Sequence, residues 1–336
     1  MGNAGVVAGG GMPWKYDLCD KEHKRSDISA WSPKEFLPIG LSASTAVIVG
    51  KMIYLVGGYT AAGYIKEIYA APISKDGTVG IFTVIGELPD IALEPKAFAI
   101  ADKLYVTYSI KLKSSVSPRC YVTTVKKDGS LGRWKADFKL HGNYPAIVIA
   151  KNRLYLIGGH TLIKGDIPDV YSAGINEDGS LGELEVETSL PKGISYAGAL
   201  VTAGKIHLLG GYSNGEFLSS VLCAVLDDNG HISEWESRKE LPVSTADCQI
   251  VVVKNKVYLI SGRDDRNERD VIFQARITDD GNIGQWFKAG KVYHPVTATT
   301  SAIIGDTVYL YGGEDSHRVY STINRATVRA PSKPLA

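Results

Sequence analysis

The segment KMIYLVGGY, residues 51–59, decides the fold, because close copies of it return along the whole chain. In each copy a short apolar run containing an aromatic or histidine side chain leads into a Gly-Gly step or its equivalent. The aromatic position is filled at intervals of 51, 50, 52, 51 and 51 residues, by Tyr54, Tyr105, Tyr155, His207, Tyr258 and Tyr309. A fixed period of this length indicates a repeat architecture in which each repeat is one supersecondary unit.

Two further markers keep the same period. Asp-Gly or Asn-Gly steps end at Gly77, Gly129, Gly179, Gly230 and Gly281, and a bulky residue follows each glycine by five positions, at Phe82, Trp134, Leu184, Trp235 and Trp286. The chain therefore holds six copies of the first marker and five of the others. One repeat length before Phe82 lies Trp31, in a context similar to that of Trp235. The N-terminus thus carries the outer piece of a sixth repeat whose remainder lies at the C-terminus.

Each repeat reads as four short β-strands. In the third copy, residues 146–150, 154–157, 169–175 and 181–186 are apolar or β-branched runs bounded by turn residues. The Asp-Gly steps predict two-residue hairpins, and no segment has a sustained helical period. Continuous apolar runs mean that both faces of the inner strands are buried, as in blades packed around an axis.

The sequence therefore predicts an all-β fold: a six-bladed β-propeller of four-stranded antiparallel blades over residues 26–330. A glycine-rich, then charged N-terminal arm (1–25) precedes it, and a short tail (331–336) follows it. We expect the strand that begins at Trp31 to complete the last blade, which contains Tyr309, and so to close the ring. The large aromatic marker residues are expected to fill the gaps between blades, with stacking on sugars as the alternative.

Composition excludes several classes of function. The formal charge of the 336 residues is +1, which argues against a general nucleic-acid binder. No apolar run approaches the roughly 20 residues that span a bilayer, and no signal peptide precedes the repeats, so a soluble, cytoplasmic location is expected unless the chain belongs to a particle. The four cysteines have no metal-ligand or disulfide-framework spacing and are predicted to be buried thiols, with no cofactor and no metal site.

The loops that join strands 2 and 3 of each blade form the candidate binding surface. They differ in every copy, whereas the 1–2 and 3–4 turns are short and repetitive, and variable loops on a rigid scaffold commonly carry binding. Solvated connections without a function are the alternative. The candidate binding residues in these loops are Tyr59, Tyr64, Lys111, Lys113, His160, Tyr212, Arg263, Arg266 and His317.

No catalytic constellation stands out in the sequence. Cys120 and Tyr121 are adjacent in one strand and point to opposite faces, so they do not form the cross-linked pair of a copper radical oxidase. The Asp-Gly hairpins lack the full Asp box of a sialidase, and there is no nucleophile elbow. A carbohydrate-active or sugar-isomerising enzyme with its site at the axis remains the alternative to a binding protein. Arg, Glu, His or Tyr side chains converging in the central funnel would favour it.

The repeat resembles that of the kelch-type β-propellers. A Gly-Gly step follows an apolar strand, a tyrosine comes next (Tyr69, Tyr121, Tyr171 and Tyr320), and a tryptophan ends the repeat. The distance from Tyr121 to Trp134 is longer than is usual for kelch repeats, and Tyr108-Ser109 replace one Gly-Gly step. The resemblance implies a non-enzymatic protein-interaction propeller, although cellular kelch adaptors usually carry an additional domain.

Segments such as KNRLYLIGG and DGSLGRW are also similar to kelch-like propellers of tailed-bacteriophage proteins. This looser resemblance implies a virion component of the tail, fibre or neck, which decorates the particle or presents a surface for a host glycan or receptor. Its expected partners are other virion or assembly proteins, docked through the N-terminal arm, with no nucleic acid and no membrane.

Overall fold

A computed structural model describes residues 28–111 and 116–328. The predicted arm (1–25) and tail (331–336) lie outside the described residues. Within the described ranges the chain forms strands and turns without a helix, and hence without a helix that could cross a membrane. The strands of this part of the chain are β1 (Ser32–Phe36), β2 (Thr45–Val49), β3 (Met52–Thr60), β4 (Gly63–Pro72), β5 (Thr83–Glu87), β6 (Leu93–Ile100), β7 (Lys103–Lys111), β8 (Val116–Thr124), β9 (Lys135–Ala136), β10 (Ala146–Ala150), β11 (Arg153–Ile157), β12 (His160–Thr161), β13 (Gly165–Asp166), β14 (Asp169–Gly174), β15 (Glu185–Ser189), β16 (Gly198–Thr202), β17 (Lys205–Leu209), β18 (Tyr212–Ser213), β19 (Glu216–Phe217), β20 (Val221–Val225), β21 (Glu236–Arg238), β22 (Gln249–Val253), β23 (Lys256–Ile260), β24 (Arg269–Ile277), β25 (Ile283–Val296), β26 (Thr300–Ile304), β27 (Thr307–Tyr311) and β28 (Thr322–Thr327).

These strands form six antiparallel sheets of four strands each, which confirms the predicted six-bladed propeller. Blades 1 to 5 follow the chain, and their inner-to-outer orders are β2-β3-β4-β5, β6-β7-β8-β9, β10-β11-β14-β15, β16-β17-β20-β21 and β22-β23-β24-β25. Blade 6 has the order β26-β27-β28-β1, so its outer strand comes from the other end of the chain. Two small hairpins, β12-β13 and β18-β19, extend the 2–3 loops of blades 3 and 4.

Strand β1 closes the ring as the sequence predicts. Ser32 pairs with Arg325 and Phe36 with Thr322 in the β1-β28 ladder. Trp31 is 8% exposed and packs in the core between blades 5 and 6, whereas Tyr309 lies in the core between blades 6 and 1. Both therefore belong to the last blade but lie on its opposite faces. Backbone hydrogen bonds between the two ends of the chain replace the open edges of an unclosed ring.

Six hydrophobic clusters lie between neighbouring blades and form the core. Each cluster contains or packs against one of the bulky marker residues, Trp31, Phe82, Trp134, Leu184, Trp235 and Trp286. The Trp134 indole also donates a hydrogen bond to the Glu87 carbonyl oxygen of blade 1, 2.9 Å away. These residues therefore fill the gaps between blades, as expected.

The repeated tyrosine and the repeated hairpin glycine are bonding partners in successive blades. The Tyr54 hydroxyl of blade 1 donates to the Gly129 carbonyl oxygen of blade 2 at 2.9 Å, and Tyr105 donates to Gly179 of blade 3 at 2.9 Å. Tyr155, His207 and Tyr309 make the equivalent contacts to Gly230, Gly281 and Gly77. The buried Tyr258 hydroxyl has no hydrogen-bond partner among the described residues, because the blade that follows it is the split one. The marker residues thus join blade to blade.

The 3–4 hairpins differ from the predicted two-residue type. In blade 1 the Gly77 N–H bonds to the Ser74 carbonyl oxygen, and the Ser74 N–H bonds to the Thr78 carbonyl oxygen. Gly77 has φ +82°, whereas Asp76 does not have a positive φ. This is a type I turn followed by a left-handed glycine, a longer connection than a type I′ turn. The aspartate instead accepts hydrogen bonds within the turn, since Asp76 Oδ1 lies 3.0 Å from the Thr78 N–H.

Candidate functional site

A central cavity of about 630 Å³ opens on the face that carries the 2–3 and 4–1 loops. All six blades contribute to its lining, and we call it the funnel. Its charged and aromatic lining residues are Tyr59, Tyr64, Glu94, Lys96, Tyr144, Tyr196, Asp247, Arg263, Glu268, Glu314 and Asp315. A cavity of this size with convergent polar groups is the usual form of a binding site.

A ring of six residues with left-handed backbone conformation surrounds the funnel. These non-glycine residues have φ between +46° and +57° and occupy the same repeat position, just before or at the start of each inner strand: Ala43, Glu94, Tyr144, Tyr196, Asp247 and Ala298. Backbone hydrogen bonds link three of the successive pairs, for example from the Ala43 N–H to the Ala298 carbonyl oxygen at 2.8 Å. The conformation is unfavourable for side-chain-bearing residues, and such strain concentrates at functional sites.

Arg263 occupies a fixed position at the funnel wall. Its Nε donates to Asp247 Oδ2 at 2.9 Å, and its guanidinium lies over the Phe217 ring, 5.4 Å from the centroid. In the neighbouring blade 6, Glu314 Oε2 accepts a hydrogen bond from the Ser42 hydroxyl at 2.9 Å. These contacts hold two charged side chains of different blades in defined orientations.

Glu94 is a partly buried carboxylate in the funnel wall. Burial raises the pKa of its carboxyl group above the ordinary value, and the negative charge of Asp247 raises it further, whereas Lys96 and Arg263 act in the opposite direction. Burial and then the charge of Glu94 also raise the pKa of Tyr64, to about 12. The same two causes raise the pKa of Tyr196. The phenols therefore stay neutral at physiological pH and can act as hydrogen-bond donors.

Two tyrosine pairs flank the carboxylates. Tyr144 and Tyr196 stack with ring centroids 4.3 Å apart and an angle of 18° between the planes. Tyr59 and Tyr64 meet edge to face, with centroids 5.0 Å apart. The funnel thus combines flat aromatic faces with negative charge.

The structure places five of the nine predicted binding residues in or beside the funnel. Tyr59, Tyr64 and Arg263 line the funnel. His160 and Tyr212 lie in the small hairpins beside it, where the His160 ring is 3.0 Å from Asp166 and the Tyr212 ring packs on Phe217.

The remaining predicted residues lie away from the funnel or cannot be placed. The Arg266 and His317 side chains are 82% and 87% exposed on the loops of the same face. Lys111 ends strand β7, and its side chain lies outside the described residues, as does all of Lys113. The role of these residues in binding stays a prediction.

Asp166 fixes the extended 2–3 hairpin of blade 3, which borders the funnel. Its side chain is only 3% exposed and accepts hydrogen bonds from the Ser195 hydroxyl and the Asn214 N–H, each at 2.8 Å, in addition to its His160 contact. The hairpin is thus fastened to blade 4. Its tip presents Leu162 and Ile163, which are 65% and 95% exposed.

The funnel residues just before or at the start of the inner strands were not predicted from the sequence. Glu94, Tyr144, Tyr196 and Asp247 belong to the 4–1 connections, which share the face of the 2–3 loops but were not singled out. The repeat register contains the signal, because these positions recur at intervals of 50 to 52 residues and hold chemically different side chains.

The funnel lining also bears on the alternative of a sugar enzyme. Charged and phenolic groups converge there, and this arrangement favours that alternative. No group of three or more His, Cys, Asp or Glu side chains in the described part of the chain is arranged to hold a metal ion. Cys120, Cys223 and Cys248 are buried free thiols, whereas Cys19 lies outside the described residues.

The chain is similar in sequence to kelch-repeat proteins. It is 27% identical over 145 residues to kelch repeat and BTB domain-containing protein 1 of camelpox virus (strain CMS), a match that covers 40% of this chain and 25% of that protein. It is 24% identical over 234 residues to Kelch-like protein 25 of Xenopus tropicalis, covering 68% of this chain and 38% of that protein. The chain thus spans only part of the length of these relatives. No family model matches the sequence.

The fold is similar to the solved structure of YjhT. The TM-score is 0.66 at 12% sequence identity, and the match covers 89% of this chain and 97% of that one. Together with the kelch-repeat relatives and the six-bladed ring, this similarity supports a kelch-type β-propeller.

Proposed function

We propose that the chain is a non-enzymatic binding propeller that holds a partner protein against its funnel face. The observation that carries the proposal is that the two faces of the ring differ in their contacts. On one face, the 3–4 hairpins bond to neighbouring blades through the tyrosine–glycine contacts, for example Tyr54 to Gly129. On the other face, all six blades turn different side chains into one cavity.

The surroundings of the funnel suit a protein partner. Leu162 and Ile163 project from a hairpin that Asp166 fastens to the next blade, so their apolar surface is presented on a rigid support. Ile91, in the connection between blades 1 and 2, is 55% exposed on the same face. Exposed apolar side chains around a polar cavity are a common feature of protein-interaction sites. The kelch-repeat relatives agree with such a role.

The test is a selection of ribosome-displayed random peptides on the intact chain, followed by affinity measurements on two variants. Ser316 is exposed and lines the funnel, so S316W narrows its mouth. Asn229 is exposed in a 3–4 hairpin on the opposite face, so N229W is the matched control. We expect the selected peptides to lose about tenfold or more in affinity, about 1.4 kcal/mol or more, in S316W but not in N229W. Equal binding to both variants, or no enrichment, would contradict the proposal.

A small sugar substrate is the second candidate, and the convergence of Glu94, Asp247 and Arg263 in a cavity of small-molecule size favours it. Carboxylates and an arginine held together are suited to proton transfer and to orienting a polar substrate. Incubation of the intact chain with a panel of monosaccharides, followed by NMR, tests this candidate. Turnover that S316W abolishes and N229W preserves would establish an enzyme.

The role of a bacteriophage virion component, docked through the N-terminal arm, is a narrower hypothesis that rests on the hairpin resemblance. Mass spectrometry of purified particles tests it, since a virion component must be present at a fixed copy number. A host glycan or receptor would then occupy the funnel face.

A further inference from the structure

The funnel is more acidic than the rest of the molecule. Five carboxylates and two cationic side chains line it, which gives a formal charge of −3, whereas the whole chain carries +1. The two cations are Lys96 and Arg263. A cavity lined mainly by one sign of charge concentrates ligands of the opposite sign.

Most of these charges are already bound to groups of the protein. Arg263 pairs with Asp247, and Ser42 donates to Glu314. The Asp315 carboxylate accepts the N–H groups of its own loop, at 2.8 Å from residue 317 and 2.9 Å from residue 318. Glu94 and Glu268 differ, because neither carboxylate has a hydrogen-bond or ion-pair partner among the described residues. Of the two, Glu94 belongs to the ring of left-handed residues around the funnel.

The surroundings of Glu94 make its negative charge unfavourable. Its side chain is partly buried and close to Asp247, so water compensates the charge incompletely and a like charge opposes it. A cationic group that enters the funnel would supply the missing counter-charge. Lys96 and Arg263 compensate this charge only in part, because neither forms an ion pair with Glu94 and Arg263 is paired with Asp247.

Two further features favour a cation. The stacked Tyr144–Tyr196 pair and the edge-to-face Tyr59–Tyr64 pair offer aromatic faces, which attract ammonium and guanidinium groups. In addition, the Thr299 hydroxyl lies in the funnel wall, more than nine-tenths buried, and has no hydrogen-bond partner in the described part of the chain. An N–H group of a ligand could satisfy that oxygen after a side-chain rotation.

We infer that the funnel selects a partner-protein segment that carries an exposed lysine or arginine, with the Glu94 carboxylate as its anchor. This inference rests on the funnel-face binding proposed above and assigns its ligand chemistry. An acidic segment would be repelled by the net charge of the lining. A bare metal ion is disfavoured because the described carboxylates do not cluster in ligand geometry. The exposed Leu162 and Ile163 beside the funnel favour a protein over a free amine, because a protein would cover them.

The experiment uses synthetic heptapeptides with blocked ends, identical except for a central Arg-Arg, Lys-Lys, Gln-Gln or Glu-Glu pair in a Gly-Ser background. Isothermal titration on the full chain gives the affinities at 50 and 300 mM NaCl, and spermidine serves as a non-protein cation. We expect the Arg-Arg and Lys-Lys peptides to bind and the Glu-Glu peptide not to bind. Affinity for the cationic peptides should fall at the higher salt concentration. Spermidine binding as tightly as the Arg-Arg peptide would overturn the assignment to a protein segment.

Two variants isolate the anchor. E94Q removes the charge at the funnel, and E177Q makes the same change at an exposed position of the blade 3 hairpin on the opposite face. We expect E94Q to weaken Arg-Arg peptide binding about tenfold or more and E177Q to leave it unchanged, with both variants retaining the thermal midpoint of the parent chain. Equal binding by E94Q and the parent, or preferred binding of the Glu-Glu peptide, would overturn the inference.

The outcomes separate this inference from the proposal on which it rests. Random peptides that bind at the funnel mouth but are rich in acidic residues would leave funnel-face binding intact and refute the cationic ligand. Peptides that bind S316W as tightly as the parent chain would refute both funnel-face binding and the cationic ligand.

Discussion

One hydrogen bond, made by a side chain in the second strand of five of the six blades, accounts for two of the markers that repeat in the sequence. In blade 1 it runs from Tyr54 to the Gly129 carbonyl oxygen, and both groups are buried. The glycine has a left-handed backbone, and a Cβ atom there would lie 2.9 Å from Met52 of the adjacent blade. Tyrosine and glycine therefore recur together because each serves the same contact between blades.

A comparison of Y54F with Y258F measures how much this hydrogen bond stabilises the ring. We expect Y54F to lower the free energy of unfolding by about 1 kcal/mol, because it leaves the Gly129 carbonyl oxygen without its partner. Y258F should leave the free energy unchanged or raise it, since its hydroxyl is buried without a partner among the described residues. Chemical denaturation of both variants provides the comparison. A loss in Y258F as large as in Y54F would mean that Tyr258 has a partner that the described residues do not contain.

Strand β1 is the element on which ring closure depends. It forms the outer edge of blade 6, and Trp31 just before it packs between blades 5 and 6. Leu37 just after it is 5% exposed and belongs to the core between blades 6 and 1. The segment therefore contributes to two of the six inter-blade cores.

We predict that deletion of residues 1–36 destabilises the whole ring, by at least about 3 kcal/mol, the usual cost of removing one large buried side chain. Deletion of residues 1–27 keeps β1 and should have little effect. A synthetic peptide of residues 28–36, added to the shorter chain, should raise its thermal midpoint, whereas the same peptide with W31A should not. Unfolding of blade 6 alone, observed by hydrogen exchange, would contradict a cooperative ring.

At this level the sequence was a good guide to the fold and a partial guide to the site. Period, strand count and the split sixth blade follow from marker spacing, because burial and turn chemistry act locally. The hairpin type did not follow, since an Asp-Gly pair fits both a type I′ turn and a type I turn with a left-handed glycine. Glu94 and Tyr196 were missed because no residue preference marks a left-handed backbone position that the ring imposes.

The described part of the chain forms a ring in which five blades have a 3–4 hairpin and blade 6 is joined from two separate segments. Ile28 bridges Val328 in the way that Val79 bridges Ile73 at the base of the blade 1 hairpin. The five residues that complete that hairpin, 74–78, have no counterpart in blade 6 among the described residues. This arrangement explains why Tyr258 lacks the glycine partner that the other blades provide.

Restoring that hairpin gives a prediction for the whole ring. Residues 28–328 are cyclised through Ser-Lys-Asp-Gly-Thr, a copy of residues 74–78, and compared with the same ring closed by Gly-Ser-Gly-Ser-Gly. We expect the first ring to be the more stable by about 1 kcal/mol, because its glycine carbonyl accepts from Tyr258. In that ring Y258F should become as costly as Y54F, which denaturation curves can measure. An unchanged Y258F effect would show that the copied loop does not reproduce the contact.

The bridge between Ile28 and Val328 also fixes the orientation in which the propeller can be mounted. It lies at the base of a 3–4 hairpin position, on the side opposite the mouth of the funnel. Whatever precedes residue 28 or follows residue 328 starts from that back side. A propeller joined to a larger body directly at residue 28 or residue 328 would therefore turn the mouth of its funnel away from that body.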